Sequence, residues 1–248
     1  MKKTLAISLC LLALPAAAAP RHIEQAVAQA NRPATDTSRD VNRKPAELLE
    51  FAGVRPGMKV VDLLPGAGYF TRIFAHAVGP RGQVYAYFGL QYDARLRSQG
   101  RDPEMQFTDL KRLYPNLGVI HGALENFVTP QPVDMVWTSN NYHDLRNKQY
   151  GPLDSVKVNT QIFKSLKPGG LYIVMDHRSA KGAGPGVTET LHRMDEDLAR
   201  KEIEAAGFRF VKAGTVLNNP KDDLNKRVFE EGEHDHTDQF ILMFRKPG

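Results

Sequence analysis

The sequence predicts an α/β fold, a mainly parallel sheet with helices packed on both faces. Short apolar runs of the length of buried strands alternate along the chain with longer amphipathic segments, which is typical of parallel sheets. The 248 residues are 25% charged and 42% hydrophobic, an ordinary globular composition. This composition excludes disordered, collagen-like and coiled-coil chains, and the length suffices for one large domain with a substantial core.

The first nineteen residues have the layout of a secretory signal peptide. Lys2 and Lys3 precede an apolar run over residues 4–14, and a small-residue tail follows over residues 15–19. The apolar run is too short to span a membrane. We expect this leader to be removed and the protein to be periplasmic or secreted. The alternative is a buried N-terminal helix on a protein that works in the cytoplasm.

Removal of the leader changes the charge and the cysteine content. The full chain carries 33 Lys and Arg against 28 Asp and Glu, a net charge of +5, and loss of the two leader lysines leaves +3. The leader also holds Cys10, the one cysteine of the sequence. Cysteine nucleophiles, thiolate metal sites and disulfides are therefore excluded from the rest of the chain. The basic residues form no stripe with interleaved aromatics, which disfavours a nucleic-acid partner.

The leader is followed by predicted helices and the first strands. Pro45 starts a helix that Gly53 ends, and Gly57 and Pro65 bound the first strand. A polar stretch over residues 31–42 is interpreted as a solvated linker or arm. The elements predicted in this part are helices over 21–30, 45–52 and 69–78 and strands over 58–64 and 83–88.

The second half of the chain continues the alternation. Pro103 stands at a helix start, the segment over 167–170 (Lys-Pro-Gly-Gly) ends the next helix, and Gly207 closes a long one. Because ligands bind at the carboxyl ends of parallel strands, the residues that follow each strand form the candidate site. The predicted helices cover 103–114, 153–166 and 188–206, and the predicted strands cover 117–121, 133–138, 171–176, 208–217 and 239–245.

A glycine-rich loop joins the first strand to its helix. Asp62 stands near the strand end, and Gly66 and Gly68 permit a tight turn with close approach of a ligand to the backbone. The loop is not a P-loop, because no Gly-Lys-Ser/Thr follows, and Thr71 stands where the dinucleotide fingerprint has its third glycine. From these residues alone, a ligand site and a tight turn without a ligand both stay open.

Residues 61–71 resemble motif I of class I S-adenosylmethionine-dependent methyltransferases, and the loop over 167–170 is similar to the one before that family's fifth strand. The resemblance implies a Rossmann-like class I methyltransferase fold with a seven-stranded sheet. It implies one domain over 45–248, after a helix and arm over 20–44, with S-adenosyl-L-methionine as the cofactor. The cofactor-binding residues that it implies are Asp62, Pro65, Gly66, Ala67, Gly68, Tyr69, Phe88, Ala123, Glu125 and Asn140.

The chain departs from the family pattern at three of the expected positions. Leu64 stands where the family usually has a glycine, Phe88 where it has an acid that holds the ribose hydroxyls, and Ala123 where an Asp often contacts adenine. A lost charge-assisted hydrogen bond costs about 1.5–3 kcal/mol. We therefore expect weak cofactor binding or a substitute for the missing acid.

Polar residues follow the fourth and fifth strands, beside the expected position of the methyl group. His143 titrates near neutral pH, and Asp144 can accept a proton or orient a histidine, so both are candidate catalytic residues. The alternative is a turn at Asn140 and Asn141, with Asp144 capping the next helix. Residues 176–178 are either a polar strand exit or a substrate contact.

Three further polar features are interpreted as structural or solvated. His192 has Asp195 three residues on along the predicted long helix, which favours a solvated helix pair. Arg193 can bind an anionic group, but nothing else points to one. The run over 230–238 contains His234 and several acids, and a solvated loop is preferred there over a metal site, so no metal is expected.

More narrowly, the chain resembles a bacterial group of predicted methyltransferases with signal peptides. The similar segments are residues 43–45, 65–69, 141–144, 191–193 and 237–240. The resemblance implies a methyltransferase with an unknown acceptor, for which a small molecule is favoured, and no membrane span once the leader is removed. A non-catalytic exported binding protein that retains the fold is the alternative.

Overall fold

The computed structural model describes residues 19–230 and 235–248. The strands are β1 (Lys59–Leu63), β2 (Gln83–Gly89), β3 (Leu117–Gly122), β4 (Val133–Ser139), β5 (Leu166–His177), β6 (Arg209–Gly214) and β7 (Gln239–Arg245). The helices are α1 (Arg21–Val27), α2 (Ala34–Thr37), α3 (Asp40–Arg43), α4 (Pro45–Ala52), α5 (Tyr69–Ala77), α6 (Leu90–Ser98), α7 (Met105–Leu113), α8 (Ser155–Ser165), α9 (Val187–Thr190) and α10 (Glu196–Ala205).

One sheet of the described residues contains these strands in the order β3-β2-β1-β4-β5-β7-β6. The first five strands in sequence are parallel, and β7 lies antiparallel between β5 and β6. The predicted fold class, a mainly parallel seven-stranded sheet, is confirmed. Asp62 is in register with Trp137, so the carboxyl ends of β1 and β4 meet at one edge, where the site is expected.

Aromatic side chains fill the core on both faces of the sheet. On one face Phe70 and Phe74 of α5 pack against the fully buried Trp137, with ring centroids 4.9 and 5.5 Å apart. On the other face Tyr172 lies 5.4 Å from Phe208, at the end of α10. Full burial of such side chains stabilises a fold by about 1.5–3 kcal/mol each. The packing holds α5, and with it the glycine loop, against the sheet.

The prediction of one long helix over 188–206 is wrong, because the helix is interrupted between α9 and α10. His192 has a φ of 53°, in the left-handed region that interrupts a helix. Asp195 then caps α10 by accepting a hydrogen bond from the backbone N–H of Asp197 at 2.9 Å. His192 is 8% exposed, so the solvated pair of His192 with Asp195 is also wrong.

Two other regions differ from the prediction. α6 was not predicted, because only Asp93 and Leu96 of this polar helix are buried, which leaves little hydrophobic periodicity. The stretch over 31–42 was expected to be a linker, and it contains α2 and the start of α3.

Parts of the predicted leader and of the acidic run lie outside the described residues. These parts are residues 1–18 and 231–234, the latter including His234. No described helix has the length and apolar character needed to cross a membrane.

Candidate active site

The glycine loop between β1 and α5 holds backbone conformations that favour glycine. Gly66 and Gly68 have φ angles of 55° and 81°, and Leu64 adopts the same left-handed region at 55°. Leu64 therefore keeps the conformation expected of a glycine at its position. A Cβ atom on Gly68 would lie 3.1 Å from Leu110 and 3.2 Å from Phe107. Gly68 is thus required both by its conformation and by the space around it.

Asp62 lies beneath this loop and is 3% exposed. It accepts a hydrogen bond from the Thr71 hydroxyl at 2.5 Å, which fixes the end of β1 to α5. Burial raises the pKa of Asp62 to about 7, although the Thr71 hydrogen bond and the charge of Arg43 act in the opposite direction. Its carboxyl therefore changes charge near neutral pH.

The segment before α4 packs over the glycine loop through ion pairs, so the interpretation as a solvated linker is wrong. Arg32 donates two hydrogen bonds of 2.7 Å to Asp40, which also accepts from the Tyr69 hydroxyl at 2.6 Å. Asp36 is paired with Arg72 of α5 at 2.9 Å. These contacts are mostly buried, and such pairs are screened by salt much less than surface pairs are.

Arg43, the last residue of α3, brings a cation from this segment into the site. Its guanidinium donates to the Ser139 hydroxyl at 3.1 Å and lies 4.3 Å from the centre of the Tyr69 ring. Burial and the nearby charge of Arg39 lower the pKa of Arg43, but an arginine stays charged in proteins. A half-buried cation beside the loop can bind the carboxylate of a ligand.

The bend after β4 connects the two sides of the site. Asn141 donates to the Leu64 carbonyl at 2.9 Å and to the Ser139 carbonyl at 2.6 Å. Asn140 has a φ of 58°, and its side-chain oxygen is buried with no hydrogen-bond partner among the described residues. Asp144 lies within the short 3₁₀ helix His143–Arg146 and does not cap a helix.

A buried histidine–aspartate pair occupies the ends of β4 and β5. Asp176 accepts from the His143 ring Nδ1 at 2.8 Å, from the His143 backbone N–H at 2.7 Å and from the His177 backbone N–H at 2.8 Å. Burial opposes the charge of both groups, but their mutual attraction outweighs it. The pKa of Asp176 is held below its usual value, and that of His143 is raised to about 9. His143 is therefore mostly protonated at neutral pH.

Asp144 and His192 lie next to this pair. Asp144 Oδ1 is 3.4 Å from His143 Nε2, and the His192 ring lies edge-on to the His143 ring at 5.5 Å. Burial raises the pKa of Asp144. Burial and the charge of His143 lower the pKa of His192 to about 4, so its imidazole is neutral.

One cavity is lined both by residues of the glycine loop and by residues that follow β4. It also contacts Arg43 from the segment before α4 and Tyr92 from α6. Gly68 is not among the described residues that line it, because it faces Leu110 and Phe107 of α7. The predicted site residues that line it are Asp62, Pro65, Gly66, Ala67, Tyr69, Asn140, His143 and Asp144.

The structure does not bring three predicted cofactor residues to this cavity. Phe88 is fully buried in the core and stacks on His121 at 5.1 Å, because its position on β2 points it into the sheet face. Ala123 precedes the 3₁₀ helix Leu124–Asn126. Glu125 in that helix accepts from the backbone of Asp154 at 3.1 Å, away from the site.

A second, mostly apolar pocket adjoins the cavity at the ends of β2 and β3. Gln91 lines it, two residues after β2, and its side-chain oxygen is buried with no hydrogen-bond partner among the described residues. Leu64 and Leu124 form apolar walls. Sequence reasoning missed Gln91, although the rule that ligands bind just after the strands points to it.

The residues present fit S-adenosylmethionine. The buried oxygens of Gln91 and Asn140 are acceptors that the hydroxyl and ammonium groups of the cofactor satisfy. Gln91 offers a neutral substitute for the missing acid at the end of β2. Arg43 suits the carboxylate, and Leu64 and Leu124 offer apolar side chains of the kind that a purine base contacts. The sequence assigned no site role to Arg43 or His192, because Arg43 lies on the arm over 20–44, for which a solvated interpretation was the default, and His192 lies on a predicted helix.

Arg193 has a structural role and no free site for an anion. It is fully buried and donates two hydrogen bonds to Asp222, at 2.7 and 3.0 Å. It also donates to the Lys226 carbonyl at 2.8 Å. These bonds hold the loop before β7 against the break between α9 and α10.

A parallel sheet with an antiparallel last strand and a glycine loop after β1 defines the class I methyltransferase fold. A solved structure described as a putative sarcosine dimethylglycine methyltransferase from Galdieria sulphuraria superposes with a TM-score of 0.58 at 16% identity, over 92% of this chain and 91% of that one. No model of a known protein family matches the chain.

Relatives that are similar in sequence show the family to which the chain belongs. Ubiquinone/menaquinone biosynthesis C-methyltransferases UbiE are similar, at 30% identity in Bordetella parapertussis (77% of this chain, 69% of that protein) and 58% in Shewanella sediminis (78% and 66%). The chain belongs to the class I S-adenosylmethionine-dependent methyltransferase family and is UbiE-like. It spans less than two thirds of the length of some relatives, 65% in Ectopseudomonas mendocina.

Proposed function

We propose that this protein transfers a methyl group from S-adenosylmethionine to a small-molecule acceptor. The observation that carries the proposal is the single cavity that joins the glycine loop to His143 and Asp144. Family membership supports it, since the relatives are named as methyltransferases. The same names give no support to the alternative of a non-catalytic binding protein.

The cofactor would be held by the glycine-loop side of the cavity. Residues 65–69 present the backbone to its methionine part, with Asp62 beneath as an acceptor for the ammonium group. Arg43 would bind the carboxylate, and Gln91 the ribose hydroxyls. This assignment replaces the predicted roles of Phe88 and Ala123.

The bound cofactor supplies an electrophilic methyl group that is open to in-line displacement. The chain's main task is to hold an acceptor in line with that group. His143, fixed by Asp176, donates from its remaining ring nitrogen to an acceptor oxygen. Asp144, 3.4 Å from that nitrogen, takes the acceptor's proton. The base in this mechanism is therefore Asp144, and His143 acts as a hydrogen-bond donor.

We also propose that the protein is exported and belongs to the bacterial group with signal peptides. The order of charges, apolar run and small residues over 1–19 supports this. Mass spectrometry of the protein from a periplasmic fraction should find an N-terminus just after the alanine-rich tail. An intact Met1 on a cytoplasmic pool of the protein would contradict it.

Calorimetric titration tests the enzyme proposal. S-adenosylmethionine and S-adenosylhomocysteine should both bind the protein, and no binding of either at about 1 mM ligand would overturn the proposal. Adenosine, which lacks the amino-acid part, should bind more weakly because it loses Arg43 and the glycine loop.

A second measurement separates binding from turnover. With methyl-labelled S-adenosylmethionine and a pool of small-molecule acceptors, label should pass to an acceptor. His143→Gln and Asp144→Asn should bind S-adenosylhomocysteine nearly as the wild type does, while label transfer falls by about 10²-fold or more. Full transfer in both variants would remove these residues from the mechanism.

A further inference from the structure

Two imidazoles and a carboxylate converge where the cavity meets a neighbouring pocket, because His143 and Asp144 line the cavity while Asp144 and His192 line the pocket. His143, Asp144 and His192 each offer one ligand atom, and these three atoms lie within 4.8 Å of one another. They come from two separate parts of the chain, the 3₁₀ helix after β4 and the break between α9 and α10. The fold therefore builds the cluster by tertiary contact and not by spacing within one helix.

His192 is buried without a hydrogen-bond partner for its ring. It is 8% exposed, and its ring contacts are edge-on to His143 and to Phe229. Within residues 19–230 and 235–248, neither of its ring nitrogens makes a hydrogen bond. Because these nitrogens line the pocket beside the cavity, they are available to a ligand. Its backbone is held at a φ of 53°, and such strained non-glycine residues concentrate at functional sites.

His143 is oriented in the way that metal-binding histidines are. Its Nδ1 is occupied by the Asp176 carboxylate at 2.8 Å, which leaves Nε2 directed toward Asp144 Oδ1 at 3.4 Å. A carboxylate on the second ring nitrogen is the usual outer partner of a histidine ligand. With metal–ligand bonds of about 2.0–2.2 Å in a tetrahedral site, neighbouring ligand atoms lie about 3.4 Å apart.

The charge and the donor types also suit a cation. Asp144 and Asp176 place two negative charges beside two imidazoles that are neutral once a metal displaces the His143 proton. Two nitrogens and one oxygen favour zinc, iron or cobalt over magnesium and calcium. Arg95 and Arg227 line the adjoining pocket and oppose a cation, so we expect weaker binding than in a structural zinc site.

We propose that His143, Asp144 and His192 bind a divalent transition-metal ion of the zinc or iron(II) class, with at least one coordination position open to the cavity. Metal binding stands independently of methyl transfer. An oxygen or nitrogen of the acceptor as the further ligand is the part that rests on the proposed function. In the metal-loaded protein Asp144 would be a ligand and not the base, and a metal-bound acceptor, whose pKa the metal lowers, would lose its proton to solvent water.

Titration of the untagged, chelator-treated full chain tests the site. Zn²⁺ is added in a calorimeter, and Co²⁺ is added while the visible absorption that reports its coordination is recorded. One equivalent should bind, and His192→Asn and Asp144→Asn should each weaken binding by at least about tenfold. Asparagine tolerates left-handed backbone, so His192→Asn keeps the local conformation. His76→Asn, on α5 and away from the cluster, is the matched control and should bind like the wild type.

The result is separable from the fate of the methyltransferase proposal, because no cofactor is present in the titration. Circular dichroism and the thermal midpoint verify that each variant is folded. No Zn²⁺ or Co²⁺ binding up to about 1 mM metal would overturn the proposal. So would wild-type affinity and wild-type cobalt absorption in both folded variants.

Discussion

The two walls of the cavity are built by different means. The glycine-loop wall is set by backbone conformation over a few consecutive residues, with Leu64, Gly66 and Gly68 in the left-handed region. The opposite wall is set by charged side chains, His143, Asp176 and their neighbours, which come from distant parts of the chain. Substitutions should therefore act through strain on one wall and through unpaired charge on the other.

Asp176→Ala should have the largest effect, because it removes the partner of a buried imidazolium and of two backbone N–H groups. Breaking a buried pair from one side costs about 3–5 kcal/mol. Urea unfolding measures it. Asp109→Ala, whose carboxylate is 79% exposed, should stay within about 0.5 kcal/mol of the wild type. Equal effects of the two variants would show that the buried Asp176 carboxylate contributes no more to stability than an exposed one.

Asp62 should give the glycine-loop wall a pH dependence of its own. Its folded-state pKa, about 7, lies above the ordinary aspartate value of 3.8. The folded state therefore holds the proton more tightly, and the wild type loses stability as pH rises from about 4 to 7. Asp62→Asn keeps the shape of the side chain without its charge. The free energy of unfolding of the variant, relative to that of the wild type, should therefore rise by up to about 4 kcal/mol across that window.

Unfolding free energies of both proteins at several pH values check this difference. A constant difference from pH 4 to 8 would mean that Asp62 does not titrate in that window. If the stability of the wild type increased relative to that of the variant as pH rises, the predicted sign would be wrong.

Arg43→Met should separate affinity from stability on the glycine-loop wall. The side chain keeps its length but loses the charge proposed to bind the cofactor carboxylate, an interaction worth about 1.5–3 kcal/mol. S-adenosylhomocysteine affinity should fall by about 10- to 100-fold in calorimetry. Arg112→Met removes an arginine that is 76% exposed and should leave affinity unchanged. Equal affinity of Arg43→Met and the wild type would remove Arg43 from the cofactor site.

Gly68→Ala and Gly66→Ala should show the smallest difference, and this difference reports the space around each residue, because the backbone strain is common to both. Both place an L-residue at positive φ, which costs about 1–2 kcal/mol. Only at Gly68 would the new Cβ also press on Leu110 and Phe107, whereas Gly66 has open space. Gly68→Ala should therefore unfold at a lower urea concentration than Gly66→Ala. The reverse order would show that space around the loop does not decide the outcome.

The wall that could be predicted from sequence is the local one. β1, the glycine loop and α5 are contiguous, so apolar period and glycine spacing predicted them within one or two residues. Asp176 was named only as one of two open interpretations, and His192 was placed on an unbroken helix. The αL residue at His192 packs against His143 and Phe229, contacts that no local pattern encodes. The cap at Asp195 is local, and an aspartate at that position is a helix-start signal.

The predicted cofactor residues at the ends of β2 and β3 do not line the cavity, for a related reason. Strand alternation turns Phe88 into the core, and Gln91, two residues beyond the strand, has a buried side-chain oxygen with no hydrogen-bond partner among the described residues. The segment before α4 looked solvated because its acids and arginines are polar. They neutralise one another in ion pairs, such as Arg32 with Asp40, that only the folded chain forms.

The position of β7 has a consequence for how the chain is made. β7 is the last strand in sequence, yet it pairs with β5 and places Phe240 opposite Asp176. Thr237, just before it, lies 2.6 Å from the His177 ring. A chain emerging from the ribosome therefore carries a finished glycine loop while the edge of β5 is still bare, and a bare edge invites pairing with other chains. The edge of β5 is covered only when the final strand has been made, because β7 is the strand that pairs with it.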